Sequence, residues 1–285
     1  MTNRDSAHEA TRQTVLVTGA TGSVGRQVVA ELLERGHAVR ALTRNPEKAD
    51  FPDGVEVVRG DLTDPASLVP ALEGVSGLHL ITFGGALFAP LETGAEIAGL
   101  ARKAGVRRIT VLHGGGPTPL EDAVRASGLN WTVVMPVEFM SNALEWAESV
   151  RTTDEVQEPF VGRLSAMVHE ADIGAVTAVA LTEDGHEGQE YVITGPQSLT
   201  VQDKVDILAA ARGREIRVVE LTEEQARERW QAAGQPQDVI DFMIFIYRDT
   251  PPEGKNVTDV VQRLTGRPAR TLAAWAAEHA DRFRA

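Results

Sequence analysis

The chain has 285 residues, 42% hydrophobic and 24% charged, which suits one large α/β domain or a domain carrying a smaller lobe. A formal net charge of −13 argues against a nucleic-acid partner, and no apolar run approaches the ~20 residues of a membrane-spanning helix. The absence of cysteine excludes disulfides, thiolate metal sites and cysteine nucleophiles, and the 7 histidines are too scattered to suggest a metal site.

Taken in chain order, residues 1–13 read as a frayed polar leader without the apolar core of a signal peptide, and the lack of cysteine fits a cytoplasmic address. Thr14–Val17 is a first strand, followed by a glycine-rich turn and an amphipathic helix carrying Val28, Val29, Leu32 and Leu33. His37–Thr43 and Val55–Arg59 are the next two strands. Asp64-Pro65 then offers an N-cap and first turn for a helix bearing Leu68 and Leu72. A strand over 77–82, a helix over 91–104, a strand over 107–112, a helix over 120–127 closed by Gly128, and a strand over 131–135 complete an alternating pattern. Such alternation predicts a Rossmann-type doubly wound parallel sheet in the order 3-2-1-4-5-6, spanning residues 14–136.

Beyond Pro136 the pattern loosens, and residues 137–285 read as a smaller α/β substrate lobe with segments returning to the core. Helices are expected over 139–150, 171–181 and 201–212, the last opened by a capping box at Thr200–Asp203. Strands are expected over 189–194 and 216–220, and Thr222–Gln225 is a second capping box. The apolar run Phe242–Tyr247 reads first as a core helix, with a hydrophobic cleft wall or a subunit contact as the alternative. Leu272, Trp275, His279 and Phe283 share one face of a terminal helix that packs on the body.

The stretch Thr18-Gly19-Ala20-Thr21-Gly22-Ser23-Val24-Gly25 sits between first strand and first helix, where a dinucleotide-binding unit needs it. Gly19 serves the tight turn, Gly22 lets backbone approach a pyrophosphate, and Gly25 lets helix and strand pack closely. At the end of the second strand Thr43 stands where an NAD-selective fold places an acid, and Arg44 follows. A guanidinium pairs with a 2′-phosphate that a carboxylate would repel, so NADP(H) is the expected coenzyme. Asp61-Leu62 is expected at the adenine edge and Thr82-Phe83-Gly84 on the adenosine or ribose side. Met135, Pro136 and Phe139 are expected beside the nicotinamide.

The glycine turn, Arg40-Ala41-Leu42-Thr43-Arg44-Asn45-Pro46, Val58-Arg59-Gly60-Asp61-Leu62 and Met135-Pro136-Val137-Glu138-Phe139-Met140-Ser141-Asn142 resemble the NmrA-like atypical short-chain dehydrogenase/reductases. The likeness continues through His169-Glu170-Ala171-Asp172-Ile173, Tyr191-Val192-Ile193-Thr194-Gly195-Pro196 and Leu264-Thr265-Gly266-Arg267-Pro268, nearly the whole chain. It implies a Rossmann body, a C-terminal substrate lobe and NADP(H), in a family containing both reductases and redox sensors without turnover. Two departures stand out. Neither Tyr191 nor Tyr247 has a lysine four residues on, so the Tyr-Lys dyad of the wider superfamily is missing, and Pro117 occupies the position where relatives carry a lysine.

Without that dyad, an acceptor whose reduced anion is already delocalised is expected: a hydrophobic conjugated, quinonoid or aromatic carbonyl compound. Two groups are candidates for proton delivery. His113 ends the fifth strand, and Glu138 follows the sixth, where burial would keep its carboxyl protonated. Ser141 and Asn142 are expected to contact ligand or cap the next helix, and Asp172 to fix lobe structure. A non-catalytic NADP(H) sensor and an isomerase or cyclase-like enzyme on the same fold remain open, as does homo-oligomer formation.

Overall fold

The computed structural model describes residues 12–85 and 89–284, so all but the end of the expected 1–13 leader lies outside the described residues. Seven strands form the central sheet: β1 (Thr14–Val17), β2 (Ala38–Thr43), β3 (Val55–Arg59), β4 (Gly77–Ile81), β5 (Arg108–Leu112), β6 (Asn130–Pro136) and β7 (Gln189–Ile193). Their order is β7-β6-β5-β4-β1-β2-β3, with the ladders β3–β2, β2–β1, β1–β4 and β4–β5 all parallel. The expected order is therefore met, with β7 added beyond β6. Val15, Leu16 and Val17 are buried on both sides, as a central parallel strand demands.

Helices α1 (Ser23–Glu34), α2 (Gly94–Lys103), α3 (Pro119–Arg125), α4 (Ala147–Thr153), α5 (Glu170–Thr182), α6 (Val201–Arg212), α7 (Glu223–Ala232) and α8 (Gln237–Arg248) follow the sequence closely. Both expected capping boxes form, Thr200 with Asp203 and Thr222 with Gln225, and a third joins Thr118 to Glu121. Three expectations fail for local reasons. The helix expected after Asp64 is two 3-10 turns, Pro65–Leu68 and Pro70–Leu72, because Pro70 cannot continue a helix, and the Asp64 side chain caps neither. Helix α2 starts at Gly94 rather than 91, since the Leu91 amide is bonded to the Thr82 carbonyl. The 139–150 segment is a 3-10 helix over Met140–Trp146 before α4, and Ser141 and Asn142 lie inside it without capping it.

Two compact units emerge. One holds the chain up to Val133 together with Thr177–Gln189, so the second half of α5 groups with the unit that contains β1–β5. The other holds Val134–Val176 and the chain from Glu190 onward. Its core gathers Met140, Trp146, Val201, Val205, Leu208, Leu272, Trp275 and Phe283, so the terminal helix packs as expected. His279 stacks on Trp275 at 4.2 Å between ring centroids. The Phe242–Tyr247 run departs from its core reading. Ile244 is buried, but Phe242 and Phe245 are 49% and 68% exposed. Six consecutive apolar residues wrap a helix on every side, and only one stripe of α8 can face its neighbours.

One polar pair sits inside the sheet. The β4–β5 register sets His79 opposite Thr110, and their side chains meet at 2.8 Å between Nδ1 and Oγ1. The His79 Nε2 has no partner, and burial pulls the imidazole pKa down to about 4. The folded-state value lies below the ordinary 6.5, so stability is full above pH 6.5 and is lost as pH falls toward 4. The loss from this residue amounts to about 3 kcal/mol. Urea unfolding across that range should show it, and His79→Leu should flatten the slope. An identical slope in the variant would assign the acid sensitivity elsewhere.

Candidate coenzyme site and a buried charge cluster

The glycine turn has the geometry its sequence demands. Gly19 holds φ +60°, and a Cβ there would stand 2.9 Å from Ile81. Gly25 presses on the turn itself: a Cβ would lie 2.1 Å from the Gly19 carbonyl oxygen. Gly22 is extended, and its missing side chain would meet only the Gly19 oxygen at 3.2 Å, leaving the exposed side open. Thr18 anchors the turn, its hydroxyl accepting from the Ile81 amide at 3.1 Å and its own amide donating to the His79 carbonyl. The amides of Ser23, Val24 and Gly25 find no acceptor among the described residues, and no side chain caps α1. Thr21, Gly22 and Ser23 are exposed around them. These open donors, and a face clear of any Cβ at Gly22, fit a pyrophosphate.

The neighbouring loops converge at the carboxyl ends of β1–β5. Thr43 Oγ1 accepts from the Asn45 amide at 3.2 Å, so the residue in the acid's place shapes the loop. Arg44 is exposed and its guanidinium makes no hydrogen bond among the described residues. Asp61 is structural at its core. Its Oδ1 accepts from the Thr63 amide and hydroxyl, and these bonds, with the Arg44 charge, hold its carboxyl below the ordinary range. Leu62 is buried. Arg59 was not singled out by sequence, yet its Nη1 donates to the Arg44 carbonyl at 3.1 Å, placing a second guanidinium on that loop. Thr82 is buried, and Phe83 packs where a Cβ on Gly114 would otherwise stand, 1.9 Å away, clamping the ends of β4 and β5 together.

His113 is oriented by a carboxylate rather than by backbone. Its Nδ1 lies 2.7 Å from Glu121 Oε1. The other oxygen of Glu121 accepts from the Thr118 amide at 2.9 Å and the Thr118 hydroxyl at 3.0 Å, so the α3 capping box holds the acid in place. With Nδ1–H donating to Glu121, Nε2 is the nitrogen left for a ligand. The signal for this partner was present in Thr118-Pro119-Leu120-Glu121, a capping box eight residues after the histidine.

Met135, Pro136 and Phe139, the remaining expected coenzyme contacts, lie half-buried in the second unit. Glu138, also there, is not the neutral acid expected. Lys204, fully buried on α6, donates from Nζ to Glu138 Oε2 at 2.8 Å and to Ser165 Oγ at 3.1 Å, and Ser165 also donates to Glu138. Burial pushes the Glu138 carboxyl up, but the Lys204 charge, the two hydrogen bonds and Arg163 outweigh it and hold it below its ordinary value. An ionised, paired carboxylate accepts protons and does not donate them. Around this pair, Glu158 accepts from Trp146 Nε1 at 2.8 Å and from Arg163 at 3.1 Å, and Arg163 lies over the Tyr247 ring. Burial and the neighbouring Glu158 push the Tyr247 phenol above its ordinary value. Asp172, as expected, does structural work: it accepts from the Arg270 amide at 2.7 Å and pairs with its guanidinium.

Comparison with known proteins places the chain among NAD(P)H-binding reductases. Residues 19–119 match the NAD(P)H-binding family model. The chain is 38% identical to a (4-alkanoyl-5-oxo-2,5-dihydrofuran-3-yl)methyl phosphate reductase of Streptomyces griseus, over 94% of this chain and 99% of that one. It is 35% identical to an NAD(P)H azoreductase of Xenophilus azovorans, over 94% and 99%. Among solved structures, the triphenylmethane reductase of Citrobacter sp. complexed with NADP(H) superposes with a TM-score of 0.76 at 26% identity, covering 94% and 99% of the two chains. Among the described residues no helix is long and apolar enough to cross a membrane. The chain belongs to the NmrA-like atypical short-chain dehydrogenase/reductases, as an oxidoreductase with an NAD(P)H-binding domain.

Proposed function

We propose that the chain is an NADPH-dependent reductase of electron-poor conjugated small molecules: quinones, dyes or acyl-substituted enones. The observation that carries the proposal is the combination of open amides on α1 with an exposed Arg44 at the end of β2 whose guanidinium makes no hydrogen bond among the described residues. The coenzyme, when bound, supplies a hydride. Ser23, Val24 and Gly25 amides hold its bridging phosphates, Arg44 receives the 2′-phosphate with Arg59 beside it, and Leu62 and Thr82–Gly84 line the adenosine side. His113, as the imidazolium with its Nδ1–H held on Glu121, would deliver the Nε2 proton to the reduced acceptor and be left as the neutral ring.

The acceptor class follows from what this proton donor replaces. An isolated ketone becomes an alkoxide and needs strong acid assistance, whereas a conjugated acceptor spreads the incoming charge. Both relatives at 35–38% identity are named for acceptors of the second kind, an azo compound and a furanone whose ring double bond is conjugated to two carbonyl groups. Stopped-flow loss of NADPH absorbance should therefore appear with menadione, an azo dye and an acyl butenolide, and be absent with cyclohexanone. Turnover confined to cyclohexanone would overturn the assignment. Arg44→Ala should weaken NADPH binding on the order of tenfold to a hundredfold and leave NADH near its original affinity. Equal weakening of both would remove Arg44 from the 2′-phosphate.

A further inference from the structure

The second unit contains a cavity of about 360 Å³ that the coenzyme reading does not use. Its wall combines Arg163, Arg248 and Lys255 with the Thr250 hydroxyl and the apolar Phe160 and Leu164; Asp249 is the one acid. The chain's net charge is −13, so its overall field repels anions and any attraction must come from groups close at hand. Three cations around one cavity supply it.

Arg163 is a built part of this wall. Its side chain is only 4% exposed, Nη1 donates to the Pro159 carbonyl at 3.0 Å, and Nη2 donates to Glu158 at 3.1 Å. The guanidinium lies 4.0 Å from the Tyr247 ring centroid, and its Nε–H has no acceptor among the described residues. The other two cations are loosely held. Arg248 is 59% exposed and pairs with Glu223; Lys255 reaches Asp249, itself 90% exposed, at 3.5 Å. Exposed pairs of this kind contribute about 0–1 kcal/mol, so an incoming dianion can displace them.

The backbone gives an independent sign. Phe160 holds φ +53°, a left-handed conformation that a bulky residue enters at a cost of about 1–3 kcal/mol. That strain is tied to the cavity, because the Arg163 amide donates to the Phe160 carbonyl at 2.9 Å and closes the turn presenting both side chains.

We propose that this cavity binds a phosphate monoester, its oxygens on Arg248, Lys255, Thr250 and the free Nε–H of Arg163, its organic part against Phe160 and Leu164. A tetrahedral dianion satisfies several separated donors at once, which a planar carboxylate of single charge does less well. The phosphate can belong to the reductase's own substrate or to a separate effector. Only the first alternative rests on the proposed function.

The test uses the full chain saturated with NADP⁺, so that the coenzyme's phosphate sites are filled, and phenyl phosphate as the calorimetric probe. Saturable heat with phenyl phosphate and none with phenol is expected, with binding weakening as pH drops below about 6, where the dianion takes up a proton. Arg248→Ala/Lys255→Ala should weaken the probe on the order of tenfold or more, and Arg248→Lys should restore most of it. No heat with phenyl phosphate, or undiminished affinity in a double variant that melts like the parent, overturns the proposal. Absence of NADP⁺ binding in the preceding titration would instead count against the reductase reading. A phosphorylated butenolide whose KM rises in the double variant, while its alcohol's does not, marks the phosphate as the substrate's. Inorganic phosphate that changes the rate with menadione, an effect lost in the double variant, marks an effector.

Discussion

Gly25→Ala is expected to abolish coenzyme binding and to lower the melting temperature, whereas Gly22→Ala keeps the fold and weakens only the coenzyme. At position 25 a methyl group would stand 2.1 Å from the Gly19 oxygen, 2.7 Å from its carbonyl carbon and 2.8 Å from the Ala20 Cα. All three are backbone atoms of one tight turn, so no side chain can swing aside. Helix α1 must move off β1, which overpacking data place at about 1–3 kcal/mol or somewhat more. The melt should fall by roughly 2–4 °C for each of those kcal/mol. Moving α1 also carries away the amides of Ser23, Val24 and Gly25. At position 22 the nearest obstacle is 3.2 Å away, and on the proposed reading the added methyl would take space from the pyrophosphate. Calorimetry with NADPH and thermal unfolding of both variants separate the two effects. Wild-type binding by Gly25→Ala would mean that the coenzyme docks elsewhere.

The second large effect is expected at His113. His113→Ala should reduce kcat on the order of 10²-fold, the scale of a lost general acid. Glu121→Gln separates catalysis from architecture. A glutamine still serves the N3 position of a capping box, so α3 remains closed. Its amide NH₂, however, offers a hydrogen where Glu121 accepted one, and the imidazole must then turn to the opposite tautomer. Nε2 would carry the proton in the neutral ring, and kcat should change even though the protein melts normally. A purely structural histidine–glutamate link predicts normal kinetics in Glu121→Gln. That result would end the role assigned to His113.

What the sequence revealed tracks the range over which each interaction acts. The glycine turn and the capping boxes are set by residues within a few positions of each other, and the strand order follows from the alternation of strand and helix with right-handed crossovers. Glu138 was read as a buried neutral acid because its partner is not local: Lys204 lies 66 residues further on. The clue existed in α6, where a lysine interrupts the apolar stripe of Val201, Val205 and Leu208. A charge on an inward stripe implies an opposite charge facing it. The Phe242–Tyr247 run failed differently. Hydrophobicity alone carries no direction, and which stripe of α8 is covered depends on neighbours supplied by distant segments. At Arg44 the missing acid was visible, but the flanking Arg59 came into reach only through the pairing of β2 with β3.

Lys204 has one practical consequence. The chain contains only four lysines: Lys48, Lys103 and Lys255 stand at or near the surface, and Lys204 alone is wholly enclosed. An amine-reactive reagent should therefore acylate the native protein at three side chains promptly and at the fourth only when the second unit opens. Mass spectrometry of that last, slow adduct would time the opening of one half of the molecule without any engineered label.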